Sequence, residues 1–389
     1  MSADCWEWPR SLGLTRQREP GRYRQRMPAV NRAGDGKRTR VAVVFGGRST
    51  EHSISCLSGG TVQAALAEAG YDVLAVGVTA DGGWVLAPPD QRYTLRGTEL
   101  PSVNGGEPLT FSYDPAAPGL VGMDGRPISV DVVFPVLHGR FGEDGTVQGL
   151  LEMAGLPYVG SGVYASAASM DKAHMKTAFR GAGLPIADYA VVHAGRSLPD
   201  GLLDRLGTPV FVKPARGGSS IGISKVSSAD ALSDAISLAA QSDSKVLIEA
   251  GVSGREIECA VLAGADGGPP EASVPAEVTI AEGFDFYDFE AKYLSDATTF
   301  TVPAQVPADV TARIQELAVA AYEALDCAGL ARVDVFVCPD GRVVLNELNT
   351  MPGFTAVSMY PRMWAASGLP LPGLVDRLVR DALHRHGAN

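Results

Sequence analysis

The chain has 389 residues, 46% of them hydrophobic and 20% charged, a balance that excludes intrinsic disorder, collagen-like repeats and a coiled coil. At roughly 150 residues per domain, this length implies two or three domains. A formal net charge of −11 argues against a general nucleic-acid binder, which carries a basic footprint.

Residues 1–40 hold 10 Lys+Arg against 4 Asp+Glu, a net +6 that leaves −17 for 41–389. This stretch lacks apolar periodicity and contains a second methionine, Met27, so 1–39 reads as a disordered basic arm or an over-extended gene start. It has no apolar segment of the kind a secretory signal needs. No uncharged apolar run approaches the roughly 18–20 residues of a membrane span. Cys5, Cys56, Cys259, Cys327 and Cys338 show no CxxC spacing, and no HExxH occurs, so zinc chemistry is not indicated. A scattered, odd set of cysteines fits a reducing cytosol.

Order is expected from residue 40, where RVAVVF reads as a buried strand running into the Gly46-Gly47 turn. Helical patterning follows over 58–69, then a second strand over 71–78. Strand, helix, strand predicts a parallel α/β layer whose functional groups lie at the carboxyl ends of the strands. Residues 81–127 are rich in Gly and Pro and read as a hairpin-bearing insertion. A buried strand over 130–137 precedes the polar loop 138–146. Ser161 is placed to cap a helix running to Arg180, closed by Gly181 and Pro185. Strands are expected over 209–213 and 246–249, a long aromatic and polar loop near 283–300, a helix over 308–328, and a terminal hairpin. Domain boundaries are expected near 160 and 250, giving units 40–160, 161–249 and 250–389.

The hairpin carries the most chemistry. Asp340-Gly341 is a strong two-residue turn signal. With that turn, Pro339 faces Arg342, Asp334 faces Glu347, and Arg332 faces Asn349. All four of the last residues then share one face. Opposed carboxylates repel unless something positive lies between them. Two acids and an amide oxygen offer hard ligands suited to Mg²⁺ or Mn²⁺. The spacing also allows a solvated polar face with Arg332 bridging the acids.

Lys213 ends a strand and opens a Gly/Ser loop over 214–222 whose backbone N–H groups and hydroxyls, Ser219 and Ser220, suit phosphate or form an ordinary turn. Neither a Walker A loop nor a GxGxxG fingerprint occurs. Lys172 reads as a solvated helical lysine, and Glu249, Glu256 and Glu258 as charges flanking strands. Glu51, just past the first turn, sits where such sheets bind ligands. The 284–301 loop, with Lys292 and Tyr293, has the composition of an active-site lid or of a large surface loop.

Taken together and in order, FGGRSTEHSIS (45–55), HGRFGEDG (138–145), SMDK (169–172), KPARGGSSIG (213–222), YDFEAKYLSD (287–296), RVDV (332–335) and NELNTMPGFT (346–355) resemble the bacterial D-alanine–D-alanine ligase family. The resemblance runs from about residue 40 to the C-terminus. It implies the α/β ATP-grasp fold with an N-terminal Rossmann-like domain, and ATP-dependent joining of two D-alanines for peptidoglycan precursors. By that resemblance, Asp334, Glu347 and Asn349 hold two Mg²⁺ or Mn²⁺ ions against the ATP phosphates. Lys172, Lys213, Ser219 and Ser220 meet phosphate, and Glu249 and Glu256 the adenine edge and ribose. Glu51 takes the ammonium of the first D-alanine, with His138 near its carboxylate. Arg332 and the Gly353 N–H stabilise the oxyanion, while Ser358 and Met359 receive the second D-alanine. Lys292 and Tyr293 belong to the lid, with Glu51, Ser219 and Tyr293 hydrogen-bonded when it closes. A cytoplasmic homodimer is implied on the same ground, with no nucleic-acid or membrane partner.

Retention of Lys292-Tyr-Leu-Ser295 favours the dipeptide over D-alanyl-D-lactate. Two departures from the family pattern are Phe289 in place of a tyrosine, and Met351 in place of a serine close to the acceptor site. The alternatives are a D-alanine–D-lactate or other carboxylate–amine ligase, and a catalytically silent nucleotide binder on the same fold.

Overall fold

A computed structural model describes residues 38–280, apart from 89, 90, 96 and 98, together with 298–355 and 357–387. Among these residues three sheets are laid out in chain order. The first is built on strand Arg40–Gly46, almost wholly buried and parallel to both Asp72–Val78 and Val132–Val136. The Gly/Pro-rich region extends this sheet with antiparallel strands Trp84–Leu86, Glu107–Ser112, Gly119–Gly122 and Pro127–Ile128.

The first helix, His52–Glu68, starts six residues before the expected point. Gly46 and Gly47 have φ of +93° and +98°, and a Cβ on Gly46 would meet the Val78 oxygen at 2.2 Å. That tight turn returns the chain to helix at once. The added residues, 52–57, carry Ser55, fully buried at the sheet end, where it accepts the Gly46 N–H at 2.8 Å. The partners of Ser55 are the backbone groups of Gly46 and Val136, so no apolar periodicity announces the earlier start.

A single helix over 161–180 does not form. Helices Val163–Met170 and Lys172–Gly181 are broken at Asp171, whose ψ of 98° is extended. Its carboxylate accepts the N–H groups of Ala173 and His174 and so caps the second helix. Gly162 occupies the N-cap of the first helix, while Ser161 accepts the Ala328 N–H instead. Lys172 therefore opens a helix rather than lying inside one.

The second sheet is antiparallel, in the order Ser224–Val226, Val210–Pro214, Lys245–Ala250, Tyr189–His193. The third runs Thr298–Thr301, Ala276–Ile280, Arg255–Leu262, Leu330–Val337, Val343–Asn349, with Glu271–Ala272 paired beside it. Helix Ala308–Ala324 covers one face of this sheet, packing Ile314, Leu317 and Ala321 against Ile257, Val333, Val335 and Leu348.

The terminal hairpin reaches the expected facing by another route. No two-residue turn forms: the Cys338 N–H donates to the Arg342 oxygen at 2.8 Å, so three residues make the loop. Val337 faces Val343 and Val335 faces Leu345, one residue out of the expected register. Between Val335 and Asp334 the ladder slips, Asn346 becomes the extra residue of a bulge, and Asp334 meets Glu347. Arg332 then faces Asn349. Two one-residue departures cancel.

Among the described residues no helix is long and apolar enough to cross a membrane.

Candidate active site at the junction of the three sheets

The alternation of Leu330–Val337 puts Val333 and Val335 into the core and leaves Arg332 and Asp334 on the opposite face. The Arg332 guanidinium donates to both Asp334 oxygens, at 2.8 and 2.7 Å. Glu258, opposite Asp334 on the neighbouring strand, lies 3.4 Å from Arg332 Nε. Burial opposes the charge on Arg332, but Asp334 and Glu258 outweigh it and push the guanidinium well above its usual range. Lys172 reaches Glu347 at 2.9 Å, and Asn349 Oδ1 accepts the Met351 N–H at 2.8 Å. Among the described residues no three His, Cys, Asp or Glu side chains converge as a ready metal cage. Asp334, Glu347 and Asn349 nevertheless share one face as two carboxylates and an amide, a hard-oxygen set that fits a divalent cation.

Beside this face, Lys213 is buried and donates to Glu249 at 2.6 Å. The other Glu249 oxygen is taken by Lys176, which is 0% exposed and also donates to the Asn346 carbonyl at 3.1 Å. Burial alone would raise the Glu249 pKa, yet the two lysines hold it below the usual carboxylate range. Lys213 is raised, its carboxylate neighbours overcoming burial, whereas burial prevails at Lys176 and lowers it. Glu249, which the resemblance puts at the adenine edge and ribose, carries both lysines and lines the same cavity as Glu256. Lys176 escaped the sequence reading. Its one signal is position, since Met175, Lys176 and Phe179 form the buried stripe of their helix.

The Gly/Ser loop is anchored by Arg216, which makes a double hydrogen bond to Asp243 at 2.8 and 2.7 Å. Ser219 and Ser220 adopt φ of +49° and +58°, a left-handed conformation that costs energy outside glycine. There Ser219 donates to Glu51 at 2.5 Å, joining the first and second sheets. His138 is buried, 3.7 Å from Glu143 and 3.1 Å from the Ser58 hydroxyl. Burial opposes a charge on His138, but Glu143 and Glu51 raise its pKa overall.

These groups line two adjoining cavities. One contains Glu51, His138, Ser219, Gly353, Ser358 and Met359. The other contains Lys213, Ser220, Glu249, Glu256 and Asp334. Lys172, Glu258, Arg332 and Glu347 belong to both. Ser358 Oγ also accepts the Thr355 N–H at 3.0 Å. Met351 packs with the first sheet instead of facing the cavity, and its sulfur accepts the Leu137 N–H at 3.1 Å. Lys292, Tyr293 and Phe289 lie outside the described residues.

Two family models, "D-ala D-ala ligase N-terminus" and "D-ala D-ala ligase C-terminus", match residues 40–161 and 178–380. The chain belongs to the D-alanine–D-alanine ligase family. It is 55% identical over 380 residues to the D-alanine–D-alanine ligase of Frankia casuarinae, covering 92% of this chain and 99% of that protein. It is 54% identical over 361 residues to the one from Rhodococcus opacus, covering 90% and 98%. Among solved structures, the D-alanine–D-alanine ligase from Coxiella burnetii superposes with a TM-score of 0.75 at 36% identity, covering 90% of this chain and 96% of that one. The VanG D-Ala:D-Ser ligase from Enterococcus faecalis gives 0.76 at 34% identity, covering 89% and 100%. The ATP-grasp architecture of these ligases is that of the chain, its N-terminal α/β layer included.

Proposed function

We infer that the two adjoining cavities are the amino-acid site and the nucleotide site of a single reaction, the ATP-dependent ligation of two D-alanines to D-alanyl-D-alanine. The chain is an ADP-forming carboxylate–amine ligase serving peptidoglycan synthesis. The observation that carries the assignment of residues is the wall held in common by Lys172, Glu258, Arg332 and Glu347. A carboxylate in one cavity meets a terminal phosphate from the other only there.

A carboxylate is a poor electrophile, so the first D-alanine is converted to an acyl phosphate before it can react. In our assignment Glu51 holds its ammonium and His138 its carboxylate. Lys172 and Lys213 meet phosphate oxygens, and Ser219 and Ser220 add donors from the loop. Mg²⁺ or Mn²⁺, when bound by Asp334, Glu347 and Asn349, would supply neutralisation of the phosphate charge. The amine of the second D-alanine, received by Ser358 and Met359, attacks the carbonyl. The tetrahedral oxyanion falls to Arg332 and the Gly353 N–H, then phosphate leaves and the amine loses a proton. Glu256 is assigned to the nucleotide ribose, and Lys292 with Tyr293 to the lid.

Glu249 is assigned with Glu256 to the adenine edge and ribose, and it also holds Lys213 from beneath. A cytoplasmic homodimer completes the proposal, and sedimentation of the purified chain tests the oligomer. The reaction is tested by ADP release with ATP and Mg²⁺, comparing D-alanine, L-alanine, and D-alanine plus D-lactate, with products identified by mass. D-Alanine-dependent release giving the dipeptide is expected. Depsipeptide as the main product at neutral pH would refute the acceptor assignment.

A further inference from the structure

Lys176 is fully enclosed, so it touches no ligand, yet its ammonium joins two parts of the nucleotide cavity. One contact is to Glu249, whose other oxygen holds Lys213. The second, at 3.1 Å, is to the carbonyl of Asn346, the extra residue of the hairpin bulge. A bulge leaves its extra residue without a ladder partner. A carbonyl left there unpaired and away from water would cost free energy, and Lys176 satisfies it.

The bulge decides which way Glu347 points. Were the register of Val335 and Leu345 continued without a slip, Asp334 would face Asn346 and Glu347 would face Val333. Glu347 would then project into the apolar face that helix Ala308–Ala324 covers, since a one-residue slip reverses every side chain. Burial of a cation at Lys176 is tolerable only while both partners remain in place. The same ammonium therefore fixes the bulge and the lysine-bearing carboxylate relative to each other.

We infer that Lys176 is a positioning residue for phosphoryl transfer, setting Glu347 and Asn349 opposite Asp334 and Glu249 beneath Lys213. This rests on reading the second cavity as the nucleotide and metal site. The amino-acid cavity shares Glu347 and contains Asn349, but the groups assigned to the first D-alanine, Glu51 and His138, are not among the partners of Lys176.

The test is titration calorimetry of ADP with Mn²⁺, with steady-state KM values, on the full chain carrying Lys176→Met or Lys176→Gln. Lys176→Met keeps the length of the stem and removes the ammonium. It is expected to weaken ADP binding and raise KM for ATP by roughly 10–100-fold, as loss of an outer partner does at metal sites. KM for the first D-alanine should stay within about twofold, because Glu51 and His138 are not partners of the charge removed. Lys176→Gln, whose amide N–H can still donate to the Asn346 carbonyl, should recover part of the loss. It serves as the deciding variant if Lys176→Met does not fold. Unchanged ADP affinity in the folded variant overturns the inference, as does an equal rise in both KM values, which marks general loosening. Lys213→Ala and Glu249→Gln separate the two readings. If they too leave ADP binding untouched, the nucleotide assignment fails. If they weaken it while Lys176 variants do not, only the positioning role fails.

Discussion

Glu347 serves two partners whose demands compete. Its Lys172 ion pair is 29% exposed on the carboxylate side, so the pair itself contributes little to stability. As a proposed metal ligand, the same carboxylate carries the reaction. Glu347→Gln should therefore keep a melting temperature close to the parent while ligation falls beyond the roughly 10–100-fold typical of outer-partner changes. Turnover like that of the parent would refute the oxygen-ligand reading of the hairpin. His138 gives a prediction in pH. Its pKa is raised despite burial, because Glu143 and Glu51 favour the imidazolium. Binding of the carboxylate of the first D-alanine should hold at low pH and weaken as pH rises through that raised value, above the ordinary ~6.5. Its contribution to stability has the same sign, fully present below the unfolded pKa and lost as pH rises through the folded one. Glu143, raised chiefly by burial, acts in the same direction. In His138→Gln the KM for D-alanine should lose this pH dependence, and a profile identical to the parent would remove His138 from the site.

At the scale of elements, the break at Asp171 is what aims Lys172. The carboxylate caps helix Lys172–Gly181 and binds Lys245 at 2.8 and 2.9 Å, while the Lys172 N–H donates to Ala215 in the phosphate-loop strand region at 2.9 Å. Loss of such a cap costs about 0.5–2 kcal/mol. Asp171→Ala should lower the melting temperature accordingly and raise KM for ATP. Asp171→Asn, an equally good cap, should restore most of the stability. No recovery with Asn would place the effect in the Lys245 pair. The break also shows what the sequence left unread. Capping signals at Ser161 and Gly181 bracketed a plausible single helix, and Asp171 inside it is a common enough surface residue. Only its extended ψ shows it to be a cap. The hairpin was legible in outcome and not in route, because turn chemistry names a loop while a bulge follows from contacts on both sides of a strand. Leu345 donates to Pro185 at 2.8 Å across the other edge, a pairing no local pattern contains.

For the whole molecule, the parallel strands of the first sheet were legible because they are continuous apolar runs, as were 209–213 and 246–249 of the second. The convergence of the three sheets was not, since the groups that join them are polar and far apart in sequence. Phe354 donates to Ser58 at 3.2 Å, and Tyr360 to the Val261 carbonyl at 2.8 Å, tying the C-terminal loop and helix to the first and third sheets. Glu51 and Ser219 make the corresponding link to the second sheet. A hydrogen bond to a charged group contributes roughly 1.5–3 kcal/mol, and partial exposure of both residues places this one at the low end. About tenfold in kcat/KM for D-alanine is then expected to disappear in Ser219→Ala, since roughly 1.4 kcal/mol is a factor of ten. The core strand Arg40–Gly46 makes no use of the link, so its amide exchange should not change. Exchange should quicken in the 216–223 loop alone, where the left-handed serines depend on an outside partner to hold them. Faster exchange throughout the second sheet would mean that the contact docks the whole sheet. Unchanged exchange with unchanged kinetics would mean that Glu51 and Ser219 are joined only in passing, and the link would carry neither substrate nor architecture.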